Sequence, residues 1–513
     1  MKQYDVIVVG AGNGGLSAAA TFAKAGKSVL VLEKHNLPGG CATSFVRGRF
    51  EFEATLHEMC QMGDGNNETN TVGAVRAMLD SYGLDVDWVA VDEAFGAIVH
   101  GDGDFNYNVT MPTGVKAFCE EMERQVPGSG KYMETVLEYG RMLQDGVTWL
   151  AEHDNEPSPP AKVEMLIKYM DLMKVVPVTT DDMLDRIGVP EKAKYLFESY
   201  WDYVSANSSE MSFAVYCFMT YTYLTQKPWI AKEKSHEISL AFDTAIRKMG
   251  GDIWYNCEVA KIDIKGGEVK GVELANGQYI ACSHVMSNLM PTVVFDRMVD
   301  PLEVPEREKK LIAARKMGQH CLTVYLGLDI PYEELGFKGY DTFVREKANN
   351  TLQTEVSSSL EDHKDYCVTI INEVIPDCSP NGTCMVQFAK FYNEDPFKDV
   401  KPEEYFKLKD KIARETVEHF EKVVGIDLQN HIEEIVVAAP MTWARYLGTP
   451  KGDVYGYMPS TWDGMFPRVQ SGHKNDYTIK GLRFCGGHGT QMDGYSQAYL
   501  SGREQARYML EEM

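Results

Sequence analysis

The chain begins with the stretch that decides its fold, Asp5-Val6-Ile7-Val8-Val9-Gly10-Ala11-Gly12-Asn13-Gly14-Gly15. It reads as a short apolar strand that runs into a glycine turn, and the alanine-rich segment 16–25 that follows has helical character. A second apolar strand, Ser28–Leu32, ends at Glu33. Strand, glycine turn, helix, strand and acid in this order start a dinucleotide-binding βαβ unit. The stretch therefore predicts an α/β fold with a Rossmann-type nucleotide-binding domain.

Each glycine of this turn has a physical task. Gly10 allows the sharp turn after the strand, Gly12 lets the backbone approach a pyrophosphate, and Gly15 lets the helix pack close to the strand. The pyrophosphate would lie at the N–H groups of the helix start, where the helix dipole favours an anion. Glu33 would accept hydrogen bonds from ribose hydroxyls and repel a 2′-phosphate. The cofactor contacts predicted from this unit are Gly10, Gly12, Asn13, Gly14, Gly15, Glu33 and Lys34.

Length, charge and cysteine usage bound the class of protein. The 513 residues exceed what one compact core usually holds, so we expect two domains. The formal charge of −24 argues against a nucleic-acid partner and against adhesion to anionic lipid. The eleven cysteines form no C-x-x-C pair, which favours free thiols in a reducing cytosol and predicts no metal site. Because Met1 leads directly into the first strand and no long apolar run follows, we expect a cytoplasmic protein without a signal peptide or transmembrane helix.

The nucleotide-domain pattern returns twice along the chain. A segment of strands and hairpin turns lies in the middle, and a strand, paired glycines and a helix close the chain. The nucleotide-binding domain is therefore predicted to comprise residues 1–75, 239–300 and 471–513, with one strand over Ile280–Met286. Residues 76–238 and 301–470 are predicted to form an inserted α+β substrate-binding domain.

The segment 201–229 is unusually rich in aromatic residues. One interpretation is a buried core helix, and the other is the wall of an apolar substrate cavity. The pattern leaves both open.

Three features favour FAD over NAD as the cofactor. The pair Gly39-Gly40 follows Glu33 closely, the hairpin-rich middle segment carries Val259, and the last forty residues carry a second glycine turn and helix. An NAD domain is usually complete within one continuous stretch. A domain assembled from both chain ends and the middle resembles the FAD fold of the amine oxidase, phytoene desaturase and GDP-dissociation-inhibitor group.

Two motifs carry the resemblance further. Gly39–Phe45 is followed by Phe52-Glu53 and His57, and Pro440–Tyr446 is followed by Gly452–Gly456. Both are similar to the retinol saturase and carotenoid isomerase branch of this group. The resemblance implies an FAD-dependent oxidoreductase that saturates or desaturates a carbon–carbon double bond of an apolar, conjugated substrate by hydride transfer at flavin N5. The chain departs from the branch where Phe52-Glu53-Ala54-Thr55 replaces Phe-Asp-x-Gly.

The resemblance also implies functional residues. The further cofactor contacts it implies are Gly40, Cys41, Thr43, Val259, Ser287, Gly487, Asp493, Gly494 and Tyr495. The candidate catalytic residues are Arg445, Tyr446, Tyr455 and His57. Each has a structural alternative: a surface ion pair for Arg445, a core hydroxyl for Tyr455, and a hydrogen-bonded structural ring for His57.

Other functions on the same scaffold stay open at this point. They are redox-neutral cis–trans isomerisation of a polyene, amine oxidation, and non-catalytic lipid binding. The last fits poorly with a retained glycine loop. The expected partners are an apolar small molecule and an electron donor or acceptor that the sequence does not identify, with at most transient membrane contact; a homodimer is left open.

Overall fold

Strands and helices are interspersed along the chain. The computed structural model describes residues 3–55, 58–153, 158–360, 363–393, 395–463, 477–488 and 494–513. The strands are β1 Val6–Val9, β2 Val29–Leu32, β3 Ser44–Arg47, β4 Phe50–Glu53, β5 Trp88–Ala90, β6 Glu93–Val99, β7 Tyr107–Pro112, β8 Trp229–Ala231, β9 Asp252–Trp254, β10 Val259–Lys265, β11 Glu268–Leu274, β12 Tyr279–Ala281, β13 Val285–Ser287, β14 His320–Leu328, β15 Asp341–Arg345, β16 Tyr366–Thr369, β17 Cys384–Tyr392, β18 Ile432–Ala438 and β19 Leu482–Phe484. The helices are α1 Asn13–Lys24, α2 Ala74–Ser81, α3 Val115–Gln125, α4 Gly130–Glu152, α5 Pro159–Lys168, α6 Met170–Val175, α7 Thr180–Ile187, α8 Glu191–Phe197, α9 Phe213–Gln226, α10 Lys234–Lys248, α11 Pro291–Val293, α12 Glu306–Ala314, α13 Asn350–Val356, α14 Pro402–Val424, α15 Pro440–Leu447 and α16 Tyr495–Glu512.

A five-stranded parallel sheet forms the nucleotide-binding half. Its order is β19-β13-β1-β2-β9, so strands from both chain ends and from the middle lie side by side. The central strand is apolar throughout because both faces are covered, as parallel sheets require. Helices α1, α10 and α16 pack on one face through a shared apolar core. The predicted α/β fold with a discontinuous Rossmann-type domain is confirmed.

A seven-stranded sheet forms the second half, in the order β18-β14-β17-β16-β15-β6-β7. Alternate residues of β14 point to opposite faces, as a strand requires. Val324 packs with Phe420 of α14 on one face. Its neighbour Tyr325 packs on the other face, in the core that also holds α4 and α9. The second face is the one that meets the nucleotide-binding half.

The strand predicted over Ile280–Met286 is two strands. Tyr279–Ala281 pairs antiparallel with β11 in a small three-stranded sheet, whereas Val285–Ser287 pairs parallel with β1. The chain must leave one sheet and enter another, and the turn at 282–284 makes this change. Apolar periodicity could not show the break because both pieces are apolar.

The two ends of the inserted segment differ from the predicted boundaries. Helix α2 packs in the core of the nucleotide-binding half through Val75 and Met78, and α10 begins at Lys234 rather than near residue 239. The hairpin of β3 and β4, by contrast, packs against the second half, because the Phe50 ring lies against Gly327 of β14. None of the described helices combines the length and apolar character needed to cross a membrane.

Candidate cofactor and substrate cavity

A cavity of about 690 Å³ lies where the two halves meet. The carboxyl ends of β1 and β2 form one end of it, at Val9 and Leu32, and β14 and β17 supply side chains to the other. Ligands of open α/β sheets bind at the carboxyl ends of parallel strands. The predicted site residues that line the cavity are Gly10, Gly12, Asn13, Gly14, Glu33, Lys34, Gly40, Cys41, Val259, Tyr446, Tyr455, Gly487, Gly494 and Tyr495.

The glycine loop is packed so closely that side chains are excluded. Gly10 has a φ of +93°, and a Cβ on Gly15 would lie 2.0 Å from the Gly10 carbonyl oxygen. A Cβ on Gly14 would lie 2.5 Å from the backbone nitrogen of Gly486, which belongs to the chain's last segment. The N-cap residue of α1 is Gly12, which has no side chain, and among the described residues Asn13 Oδ1 is buried without a hydrogen-bond partner. The loop therefore fits a pyrophosphate at the helix N-terminus.

Glu33 is held in place by two backbone groups. The backbone N–H of Ala11 donates to Oε2 at 2.7 Å, and that of His35 donates to Oε1 at 2.8 Å. Each carboxylate oxygen keeps a further lone pair that can accept from a ribose hydroxyl. Lys34 lies beside it at the cavity wall, where Nζ donates to the Arg445 carbonyl at 3.1 Å. This end of the cavity fits an adenosine ribose.

Three distant segments meet at a hydrogen-bonded cluster. Tyr495 Oη donates to the Cys41 carbonyl at 2.6 Å and lies 2.6 Å from Thr55 Oγ1. Burial raises the pKa of the Cys41 thiol to about 12 and raises the pKa of Tyr495 well above its usual value. Both groups are therefore neutral at physiological pH. The cluster fixes the Gly40-Cys41 turn against the last helix, next to the space that leads into the second half.

Beyond this cluster the cavity becomes an aromatic chamber. Its rings are oriented by contact with one another: Tyr200 stacks on Tyr223 at 5.4 Å between centroids, and Phe391 lies 5.8 Å from Tyr455. We define the aromatic chamber by its wall residues Tyr200, Tyr203, Val204, Val215, Phe218, Met219, Tyr223, Phe391 and Tyr455. Both interpretations of segment 201–229 therefore apply, because α9 is buried in the core and also forms part of the cavity wall.

The predicted catalytic pair does not lie at the aromatic chamber. Arg445 is exposed and absent from the cavity wall, and its carbonyl is the partner of Lys34. Tyr446 is 51% exposed and packs edge-on against His35, at the Glu33 end. Because α15 ends beside the second strand of the nucleotide-binding sheet, Tyr446 lies at the cavity's outer end, and the Arg445 side chain lies outside the cavity. This placement opposes a catalytic role for either residue, whereas Tyr455 stays a chamber residue.

Other predicted contacts support the cavity without facing it. Gly15 packs on Gly10, as its predicted task requires. The Thr43 hydroxyl donates to Ser44 O, and its carbonyl accepts from Ala54, so Thr43 belongs to the β3–β4 hairpin. The Ser287 hydroxyl bonds with the backbone of Leu289. His57 and Asp493 lie outside the described residues.

Sequence reasoning missed several wall residues. The side chain of Asn288 packs against the glycine loop, and its Oδ1 accepts from the Gly15 N–H at 3.2 Å. Its position directly after a strand end could have signalled it. Glu58 and Tyr200 belong to no motif, and only the fold brings them together.

Comparisons with known proteins agree with this geometry. The NAD(P)-binding Rossmann-like domain family matches residues 8–72. All-trans-retinol 13,14-reductase of Danio rerio is 23% identical over 481 residues, which cover 89% of this chain and 78% of that protein. Prolycopene isomerase of Daucus carota is also 23% identical, with 89% and 72% covered. The chain is a homologue of both.

The solved structures extend the fold over the whole chain. Cyclohexylamine oxidase from Brevibacterium oxydans superposes with a TM-score of 0.60, at 15% identity, over 100% of this chain and 99% of that one. The predicted resemblance to FAD-dependent oxidoreductases of the amine oxidase and phytoene desaturase group is thereby confirmed, and FAD is the cofactor class of this homologous group.

Proposed function

We propose that this protein is an FAD-dependent oxidoreductase that acts on a carbon–carbon double bond of an apolar, conjugated substrate. One observation carries the proposal: a single cavity joins an intact dinucleotide loop to a chamber walled by aromatic and thioether side chains. Cavities of this size and lining hold small apolar molecules. The homology to a retinol 13,14-reductase supports saturation of the double bond.

Residues at different positions along the cavity have different roles. The α1 N-terminus and Glu33 would bind the dinucleotide part of the cofactor, and the Cys41–Thr55–Tyr495 cluster holds the Gly40-Cys41 turn in place. FAD, when bound, supplies hydride transfer to or from carbon. The aromatic chamber would orient the apolar substrate and exclude water from it, because its walls are buried or partly buried apolar side chains and rings.

The test begins with the visible spectrum of the purified protein, which should show bound flavin. The flavin is then reduced without air, and all-trans-retinol is added. Reoxidation of the flavin together with a product heavier by two hydrogens supports the proposal. A protein that cannot be loaded with flavin contradicts it.

Redox-neutral isomerisation is the second candidate, because a prolycopene isomerase covers the same share of this chain as the reductase does. Adding prolycopene to the reduced protein separates the two. An isomerase yields a product of unchanged mass and leaves the flavin reduced. A saturase yields a product heavier by two hydrogens and oxidises the flavin.

We further propose that the protein belongs to the cytoplasm and touches membranes transiently through α5 and α6. Four side chains with helical spacing are exposed there: Val163, Leu166, Ile167 and Met170, by 57%, 51%, 72% and 55%. Exposed lysines at 162 and 168 flank this apolar stripe in an otherwise acidic chain. An apolar face flanked by lysines is typical of helices that lie at a lipid surface.

Co-sedimentation with vesicles of phosphatidylcholine and phosphatidylserine tests this contact. The double variant Leu166→Ser/Ile167→Ser should bind at least several-fold less. Leu302→Ser is the matched control, since Leu302 is 94% exposed and lies outside the stripe. Equal binding by both variants would rule the stripe out.

A further inference from the structure

A buried acid faces the aromatic chamber and belongs to none of the sequence motifs. Glu58 is 8% exposed and forms part of the cavity wall. Its Oε1 contacts the hydroxyl of Tyr200, while Oε2 is buried without a hydrogen-bond partner among the described residues. A buried carboxylate with one free oxygen would be costly, so its protonation state matters.

The hydrogen-bond geometry favours the protonated state. The Tyr200 hydroxyl has one proton, yet it contacts both Glu58 Oε1 and the carbonyl oxygen of Ala94, the latter at 2.7 Å. A carbonyl oxygen can only accept, so the proton of Tyr200 is directed to Ala94. The contact with Glu58 then requires a proton on the carboxyl group. Glu58 is therefore a neutral acid that donates to Tyr200.

The surroundings favour the same state. Burial raises the pKa of Glu58 well above its usual value, and the acids Asp341 and Glu93 raise it further. Tyr223 lies nearby, stacked on Tyr200, and is itself held neutral because burial raises its pKa.

We propose that Glu58 is the proton donor of the reaction in the aromatic chamber, with Tyr200 as the residue that positions it. The inference rests on the proposed function, saturation of a conjugated double bond. Saturation breaks the π bond and forms two C–H bonds. One carbon receives a hydride, with both electrons, from the reduced cofactor, which is oxidised; the other receives a proton. The Glu58 O–H turns from its hydrogen bond with Tyr200 to the substrate carbon and breaks to supply that proton, and the resulting carboxylate recovers a proton from solvent between turnovers.

Proton donation by a placed acid contributes about a hundredfold or more to such a reaction. A group whose ordinary pKa is low must be shifted upward before it can donate at neutral pH, and burial in an apolar pocket does this. The position is also suitable, since Glu58 lines the same cavity as Cys41, Thr55 and Tyr495.

The first test is infrared spectroscopy of the flavin-loaded protein at neutral pH, which needs no turnover. The difference between wild type and Glu58→Gln should contain a protonated carboxyl band that shifts in deuterium oxide. Glu198→Gln is the matched control, because Glu198 is also buried and also has a raised pKa, yet lies outside the cavity wall. A difference spectrum without the Glu58 band overturns the proposal whether or not the protein reduces any substrate.

The second test measures single-turnover reoxidation of the reduced protein by all-trans-retinol in deuterium oxide. Wild type should place solvent deuterium on the carbon that receives the proton. Glu58→Gln should react about a hundredfold more slowly with an unchanged flavin spectrum, Glu58→Asp should recover part of the rate, and Tyr200→Phe should react about tenfold more slowly. Glu198→Gln should react as wild type does.

The outcomes separate the two proposals. Wild-type rates in Glu58→Gln overturn the role of Glu58 and leave the proposed function standing. A flavin-loaded wild type that does not react with retinol contradicts the saturase function for this substrate, and the infrared band then decides the state of Glu58.

Discussion

Around the glycine loop the backbone itself forms the surface that faces the ligand, whereas in the aromatic chamber side chains from several elements form it. The loop tolerates no added carbon at Gly14 or Gly15. The chamber wall is made of rings about 5–6 Å apart that could be exchanged for others of similar volume. One half of the cavity therefore specifies its ligand through backbone position, and the other through shape and apolar area. Substitutions in the two halves should therefore differ in their effects on flavin binding and on the free energy of unfolding.

The largest effect is expected for Gly15→Ala. The added Cβ would lie 2.0 Å from the Gly10 carbonyl oxygen, and neither backbone can move without shifting the loop. We expect a protein without flavin whose free energy of unfolding falls by about 3 kcal/mol. Flavin absorbance after purification and a denaturant titration measure both.

The control for this prediction is Gly26→Ala. A Cβ there meets nothing within 4 Å, so only the φ of +77° opposes it, at a cost of about 1 kcal/mol. Normal flavin content in Gly15→Ala would show that the loop is less tightly packed than the structure indicates.

The same contrast explains how much the sequence could reveal. The loop and Glu33 were predictable because the backbone chemistry of a pyrophosphate site demands fixed residue types at fixed spacing. The chamber imposes no such pattern. Glu58 and Tyr200 lie 142 residues apart and meet only in the folded chain, where the Tyr200 hydroxyl also contacts the Ala94 carbonyl of β6. Arg445 was predicted at the reaction site for the same reason. A motif shows that a segment is near the cofactor, but it does not show which end of the cavity its side chains reach.

Phe218→Ala tests the opposite half. Phe218 is 3% exposed on α9, and truncation leaves a void beside the cavity. We expect a loss of about 2–3 kcal/mol in unfolding free energy, at the lower end for such a change because one side of the ring already faces the cavity. The dissociation constant of FAD should stay the same.

Phe218→Leu keeps most of the volume and should cost less than about 1.5 kcal/mol. If Phe218→Ala weakened FAD binding as well, the glycine-loop half and the chamber half of the cavity would be coupled rather than independent.

A smaller effect is expected for Glu33→Gln. The amide keeps an oxygen for the Ala11 N–H but removes the charge and one acceptor from the site. FAD should bind about tenfold more weakly, equivalent to about 1.4 kcal/mol. Fluorescence titration of the apoprotein with FAD measures it. Glu258→Gln, at an exposed position of the same cavity wall, should change the affinity little.

The smallest effect is a pH dependence that belongs to the chamber half alone. Glu93 accepts from the backbone N–H of Asp341 at 3.1 Å, and burial is the main cause that raises its pKa from 4.5 to about 7. A carboxyl group with a raised folded-state pKa stabilises the fold fully below the unfolded pKa. That stability is lost as pH rises from 4.5 through 7.

Glu93→Gln should therefore flatten the decline in unfolding free energy between these pH values by about 1 kcal/mol, a figure discounted for the partial exposure of the side chain. Denaturant titrations at several pH values compare it with Glu120→Gln, an exposed acid of α3 that should leave the decline unchanged. If both variants decline like wild type, Glu93 does not govern the stability of the half that holds the chamber. If only Glu93→Gln is flat, this half responds to protons through a side chain, whereas the described part of the glycine loop is built from backbone groups that do not titrate in this range.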